Sequence, residues 1–327
     1  MQSVMSAVRT FFDERNRSWV TGQTDPVIQF AHAAGDAKWL RSLEREVQAK
    51  QRSLAHRRSR LLRAHSKVQV QVQRVVQSPD KGVEEARVDE HVTWVYRDGA
   101  DYSVESRVIQ HLQRWIQQGG KWRLLESRTS MENHPLDRGD TPVLPTAKPA
   151  HVTTGRRTDG CTGYDRVRAL RYAELWWNGW NPAFPRLADD CTNFISQCLL
   201  AGKMPMTGGE NRTTGWWYHF NQPQVQEPWS YSWTTSHALY MYLIYKVGAQ
   251  VLKDARELKM GDLVFYDWDG GGRYHHTTIV TEFDSAGDPL VNAHTDSSYH
   301  RHYLYLDSRA WTPRTRYQLV HLPDAFC

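Results

Sequence analysis

The sequence predicts an α+β protein in two parts, each with helices ahead of a run of antiparallel strands. Three observations lead there. Helical spacing of apolar residues gives way to strict alternation at residue 67. A proline-rich strip interrupts the chain at 129–160. Beyond it, helical segments again precede short apolar strands. The 327 residues leave room for two or three domains, and a composition 40% hydrophobic and 24% charged is that of a globular protein. Lys plus Arg at 41 against Asp plus Glu at 36 gives a net charge of +5, too little over this length to predict a nucleic-acid partner. No segment approaches the roughly 18 consecutive apolar residues of a membrane span. The 14 tryptophans and 15 tyrosines make aromatic burial the main source of core area.

Residues 1–128 read as an accessory α+β domain. Val8 to Val20 and Trp39 to Arg63 are predicted helices, rich in Lys, Arg, Glu and Leu. Lys67 to Gln73 then alternates apolar and polar residues, the pattern of a half-buried strand. Arg87 to Arg97 repeats it, with Val88, Val92, Trp94 and Tyr96 on one face. Ser103 to Ile116 and Lys121 to Glu126 follow, joined by the turn Gly119-Gly120. By element order alone this half is similar to the cone-shaped NTF2-like fold. His91 and His111 read as surface or packing residues, and Arg57-Arg58-Ser59-Arg60 as a solvated helix face. The domain is expected to orient or restrict substrate. Asp13, Glu14, Arg15 and Arg17 stand where a secretory signal needs an apolar core. The chain as written therefore reads as cytoplasmic, or as secreted if a leader is missing from it. Residues 129–160 carry Pro135, Pro142, Pro145 and Pro149 among Thr, Gly and Asp, the composition of a stiffened linker.

The cysteines are Cys161, Cys191, Cys198 and Cys327. None has the spacing of a zinc ribbon or a redox motif. A helix would hold Cys191 and Cys198 about 10 Å apart, too far for a disulfide. A Cys161–Cys327 bridge stays open, but four cysteines without a secretory signal read more naturally as free thiols.

The chemistry lies in residues 161–327. A helix opens near Tyr164, with Ala169, Tyr172, Ala173 and Trp176 on one face, and stops at Asn181-Pro182. Asp190 to Gly202 is a second helix, with Asp190 as N-cap, Gly202 as stop and a buried stripe of Phe194, Cys198 and Ala201. Cys191 takes its first position, where free N–H groups and the helix dipole favour a thiolate and can hold an oxyanion. Strands are predicted at Leu263 to Asp267, His275 to Thr281 and Pro289 to Thr295. His276 is the candidate base for Cys191; Asn292 would orient its imidazole, with His294, on the same strand face, the rival for that role. His275 points the other way and reads as a surface residue, while Cys198 is structural.

Asp-Cys-Thr-Asn-Phe from Asp190, Gly-Asp-Leu-Val-Phe-Tyr from Gly261, His-x-Thr-Ile-Val from His276 and Asn-Ala-His-Thr from Asn292 follow one another in this order. Tyr164-Asp165-Arg166, Trp176-Trp177-Asn178, Asn181-Pro182, Ser196-Gln197-Cys198, Gly215-Trp216-Trp217-Tyr218 and Ser232-Trp233 accompany them. Over roughly residues 160–322 the chain resembles the putative amidase domain family of bacteria, which goes with the papain-like NlpC/P60 and CHAP cysteine hydrolases. The resemblance implies a papain-like fold, its nucleophile opening a central helix packed on an antiparallel sheet. It also implies amide cleavage through a thioester, often in cell-wall peptides, so peptidoglycan fragments are the expected partner class. It carries the nucleophile to Cys191 and the base to His276, and favours Asn292 over His294 as third residue. Where many NlpC/P60 enzymes place a tyrosine to bind the oxyanion, this chain has Phe184, leaving Tyr164 or a backbone donor.

The expected activity is cysteine-dependent amide hydrolysis without a metal or other cofactor. His294, His300 and His302 have no matching carboxylate or cysteine spacing for a metal. Asp267 to Gly272 lacks the third acidic ligand and closing Glu of a calcium loop and reads as a turn. Two alternatives remain open: a non-catalytic module that binds peptide or glycan in an aromatic groove, and an acyltransferase using the same thioester. Trp216, Trp217, Trp229 and Trp233 are either buried under loops or the wall of such a groove.

Overall fold

Apolar residues at helical spacing and alternating strand residues meet in one core in the first half of the chain. A computed structural model describes residues 3–32, 38–74, 82–129, 160–220 and 228–327. It divides the chain into two units, Met1–Met131 with Tyr305–Trp311, and Glu132–Leu304 with Thr312–Cys327. The strip expected as a linker lies, between residues 130 and 159, outside the described residues.

In the first unit Ser3 opens α1 (Val4–Thr21), its hydroxyl accepting the Ser6 N–H at 3.3 Å. A single turn, α2 (Asp25–Ile28), and α3 (Lys38–Arg57) follow. Strands β1 (Arg60–Arg74), β2 (Val83–Asp98), β3 (Asp101–Gln118) and β4 (Lys121–Thr129) pair antiparallel in sequence order. Phe11, Phe12 and Trp19 of α1 and Trp39, Leu43 and Val47 of α3 bury against Val88, Val92, Trp94 and Tyr96, the face that the alternation in β2 predicts. Gly119 and Gly120, both at positive φ, make the β3–β4 turn.

Two readings of this half need correction. The second helix ends at Arg57, not Arg63, because Arg58 turns left-handed at φ 54° and the chain enters β1 at Arg60. The run Arg57 to Arg60 is not wholly a solvated face. The Arg57 side chain is buried, 4.8 Å over the Tyr96 ring and 3.7 Å from the Asp98 carboxylate. Long charged side chains reach such places because buried carboxylates receive them. Glu105 accepts from Lys50 at 2.9 Å, from the Tyr96 hydroxyl at 2.6 Å and from Arg107. Glu90 accepts from Arg15 and from His111 at 2.8 Å, making His111 a buried packing residue.

The second unit places its sheet under helices. In chain order it holds β5 (Thr162–Gly163), α4 (Arg166–Trp176), α5 (Cys191–Ala201), α6 (Tyr231–Thr234) and α7 (Ser236–Tyr242). Then come β6 (Gln250–Leu252), β7 (Leu263–Asp267), β8 (His276–Phe283), β9 (Pro289–Ala293), β10 (Ser298–His302), β11 (Arg316–His321) and β12 (Ala325–Phe326). The sheet runs β10-β9-β8-β7-β11-β6 with every neighbour antiparallel. Helix α5 packs on β8 and β9 on one side and on α4 and α6 on the other. It is buried continuously from Cys191 to Leu199, which makes it the central helix of this unit rather than an amphipathic surface helix. Gly202 ends it for a steric reason. A Cβ there would stand 2.5 Å from Tyr164 Cε2, so the close approach of that ring, not a left-handed turn, requires glycine.

The expectation of four free thiols is overturned. Cys161 and Cys327 form a disulfide that ties the antiparallel pair β5–β12 and closes a separation of 166 residues. The same junction is fastened by the Tyr164 N–H on Asp324 O at 2.9 Å and by Arg166 on Leu322 O at 2.7 Å. Cross-linking so long a loop removes much denatured-state entropy. Reduction, or the double variant Cys161→Ser/Cys327→Ser, is therefore expected to lower the stability of this unit by roughly 2–5 kcal/mol. Thermal or urea unfolding checks it, and an unchanged midpoint would mean that the bridge constrains nothing.

Candidate active site

The residues that place Cys191 are the polar members of α5, each turned to a different neighbour. Asn193 donates to Pro185 O at 3.0 Å and to Asp190 Oδ1 at 2.8 Å, and its own oxygen accepts Trp233 Nε1–H at 2.8 Å. Ser196 donates to Trp233 O at 2.9 Å and accepts Trp216 Nε1–H at 3.0 Å. Gln197 accepts the Tyr172 hydroxyl at 2.5 Å. Trp216, Trp217 and Trp233 are thus buried clamps on this helix and its loops, not the wall of an open groove, while Trp229 is partly exposed.

Asp190 sits at the N-cap position, yet its side chain does not cap the helix. Its carboxylate accepts the Leu187 N–H at 3.2 Å and Asn193, while Oδ2 faces His294 Nδ1 at 2.5 Å. His294 Nε2 lies 2.7 Å from Trp176 O, and a carbonyl only accepts, so that nitrogen carries a proton. His294, stacked on Phe194 at 4.1 Å, therefore has both nitrogens engaged and fixes the start of α5.

The thiol of Cys191 is almost closed off, the residue being 6% exposed. Its Sγ lies 3.6 Å from Thr192 Oγ1 and 3.9 Å from Ser236 Oγ, and those hydroxyls are 3.0 Å apart. The backbone of Thr277, next along β8 from His276, also favours the charged sulfur. These donors favour a thiolate, but burial outweighs them and pushes the Cys191 thiol above its ordinary range. The expectation that the helix N-terminus ionises it is reversed. The Cys191 N–H is taken as well: it donates to Thr295 Oγ1 at 2.9 Å, and the Asp190 N–H reaches the same oxygen at 3.1 Å.

His276 is buried at the start of β8, its ring 5.4 Å from Tyr266 and 6.0 Å from Trp268. Burial lowers its pKa to about 4; Asp296 opposes that shift and Arg301, ion-paired with Asp296, reinforces it. At neutral pH the resting pair is accordingly a thiol and a neutral imidazole. Asn292 lies on another part of the sheet, opposite Ile279. Its amide serves Thr281 at 3.1 Å, Glu174 at 3.1 Å and the His300 N–H at 2.8 Å. The structure thus gathers Cys191 with the beginning of β8, and His294 with Asp190. It places Asn292 in its own network with Glu174 and His300, whose Nε2 is 3.0 Å from Glu174. Tyr164, a candidate oxyanion donor, gives its hydroxyl to Gly261 O at 2.8 Å and is structural. Asp267 accepts the N–H groups of Gly270, Gly271 and Gly272, so the segment resembling a calcium loop is a turn.

Thr295, Asp296, Thr192 and Ser236 are the neighbours that sequence reasoning missed. Thr192 and Thr295 lie inside quoted motifs, beside residues whose chemistry drew more notice. Ser236 has no signal beyond its closeness to Ser232-Trp233.

Residues 163–320 match the model of the family described as "Putative amidase domain". Two relatives in Bacillus subtilis (strain 168) align with this chain. "Uncharacterized protein YhbB" is 49% identical over 164 residues, covering 49% of this chain and 51% of the relative. "Uncharacterized protein YjcM" is 31% identical over 131 residues, covering 36% of this chain and 28% of the relative. The chain thus spans about half the length of the first relative and less of the second. Among the described residues no helix is long and apolar enough to cross a membrane.

The depressed His276 pKa makes a stability prediction. Below its unfolded value of 6.5 the unfolded chain binds a proton that the native imidazole refuses until about pH 4. The contribution is complete above pH 6.5 and is lost as pH falls towards 4, amounting to about 3 kcal/mol at 1.36 kcal/mol per pH unit. Urea titrations at several pH values are expected to show this loss in the wild type and a shallower slope in His276→Gln; equal slopes would refute it.

Proposed function

We propose that the second unit is a cysteine-nucleophile amide hydrolase acting through Cys191 and His276. One observation carries the reading: the thiol that opens the buried central helix, which packs on β8, is favoured in its charged form by the backbone of Thr277, the residue following His276. The match of residues 163–320 to a putative amidase domain supports it.

In the proposed reaction, substrate arrival triggers transfer of the thiol proton to the His276 imidazole. Sγ bonds to the amide carbon and the carbonyl π electrons move to oxygen. The tetrahedral species collapses with rupture of the C–N bond, and the imidazolium returns its proton to the leaving amine. Water, deprotonated by the same imidazole, then attacks the thioester and releases the acid and the thiol. The low basicity of buried His276 suits return of a proton, and Asp296 is the proposed stabiliser of the transient imidazolium. Asn292 and His294 are assigned to positioning α4, α5 and the end of β9. Cell-wall peptides are the proposed substrate class, and the Cys161–Cys327 bridge supports action in an oxidising, extracytoplasmic space.

A second reading has an observation of its own. The closed thiol, with its pKa raised by burial, also suits a peptide-binding module whose cysteine is a buried core residue. Mass spectrometry of the protein mixed with an activated peptide ester separates the two. The hydrolase reading expects an acyl adduct on Cys191 that decays in water. It expects none in Cys191→Ala, and formation slower by about 10²–10⁴-fold in His276→Ala. In Asp296→Asn a smaller loss is expected, greatest at the pH where the imidazolium must persist. A folded wild type that neither acylates nor cleaves any peptide amide would leave the binding module.

A further inference from the structure

We infer that the hydroxyl of Thr295 is the oxyanion donor of this site; the inference rests on the hydrolase reading and deepens it. The usual donor for a nucleophile at a helix start, its own backbone N–H, is already engaged, since Cys191 N–H and Asp190 N–H both end on Thr295 Oγ1 at 2.9 and 3.1 Å. A hydroxyl oxygen has two lone pairs, and here each is filled by a helix N-terminal N–H. The Thr295 proton is the one hydrogen-bonding element left to that group, and two donors on its oxygen polarise it further. A carbonyl bonded to Sγ that turns towards the helix start meets this O–H in place of the amides behind it.

The backbone supports a special position. Thr295 has φ 67°, a left-handed conformation that is an outlier for a β-branched residue and persists only where its surroundings hold it. Those surroundings are His294 and Asp190, one residue away on each side of the contact, locked to each other at 2.5 Å. Exposure points the same way. Cys191, Asp190 and His294 are buried while Thr295 is half-buried, so Thr295 is the member of the cluster nearest to solvent. The competing hydroxyls are placed differently: Thr192 and Ser236 bond to each other beside the sulfur, and Tyr164 serves Gly261. Thr277 is a further rival, fully buried, with an Oγ1 that has no hydrogen-bond partner.

An oxyanion donor speeds attack on a carbonyl but not displacement of iodide, which develops no charge on an oxygen. Rates at Cys191 in the full chain are therefore compared for an activated peptide ester and for iodoacetamide. Thr295→Val keeps the shape and the branched Cβ and is expected to slow acylation by about 10²-fold while leaving alkylation unslowed or faster, since the freed Cys191 N–H favours the thiolate. Thr295→Ser is expected to restore most of the acylation rate. Should the valine variant not fold, Thr295→Ala gives the same contrast. Equal slowing of both reactions would overturn the inference, leaving Thr295 as a prop for the helix start. Faster acylation would also overturn it, since Thr295 would then be a plug on the backbone amides. Loss in Thr277→Val with Thr295→Val unaffected would transfer the role to Thr277. A wild type that alkylates at Cys191 but never acylates would refute the hydrolase reading itself, and this inference with it.

Discussion

The second unit is organised around one buried carboxylate. Asp190 gathers the loop through the Leu187 N–H, the helix through Asn193 and the end of β9 through His294. Each partner is itself tied onward, His294 to Trp176 O and Asn193 to Pro185 O and Trp233. A carboxylate removed from water is unfavourable unless its lone pairs are filled, so the three donors are a condition for this segment to fold at all. The position of Cys191 follows as a consequence. With its preceding residue anchored from three sides and its own N–H held by Thr295, the thiol has little freedom left. The first unit uses the same device, where Glu90 and Glu105 each collect cations and hydroxyls beneath an aromatic core.

Rigid burial sets the electrostatics of the site as well. A cysteine at a helix start is usually a case for an ionised thiol, because unpaired amides and the dipole favour negative charge. Here that argument loses to desolvation. The sulfur is enclosed and the amide that would have faced it ends on Thr295, so only hydroxyls and the Thr277 backbone offset the loss of water. The same enclosure keeps His276 neutral. Moving a proton between two neutral groups creates two charges at once, which a closed apolar site disfavours. On the proposed hydrolase reading, the pair would become competent only when a substrate brings its own dipole.

Much of the fold was legible in the sequence because it was carried by periodicity. The alternation in β2 places Val88, Val92, Trp94 and Tyr96 on the buried face, and Gly119-Gly120 makes the β3–β4 turn. Cys191 opens α5 as the dipeptide Asp190-Cys191 and the apolar run behind it indicate. What could not be read was direction and competition. Arg57 and Arg58 are equally charged on paper, yet one side chain is buried under Tyr96 and the next residue ends the helix. Nothing in local sequence announces Asp98, the carboxylate that receives Arg57. The disulfide likewise needed the two ends of the unit to meet as β5 and β12, a contact across 166 residues with no local signature.

The candidate third residue shows the same limit most clearly. Two-residue alternation predicts Asn292 and His294 on a common strand face, but β9 ends at Ala293, so His294 lies beyond the strand and its direction is not set by the pleat. Asn292 lies opposite Ile279, three residues along β8 from His276, and turns to Thr281 and Glu174. His294 reaches the helix start instead. The strand has ended at Ala293, and the left-handed turn at Thr295 brings two further residues into this neighbourhood: Thr295 to the helix amides and Asp296 to the charge of His276. The polar groups closest to the chemistry come from the break in the pattern, because only an irregular backbone turns consecutive side chains towards one point.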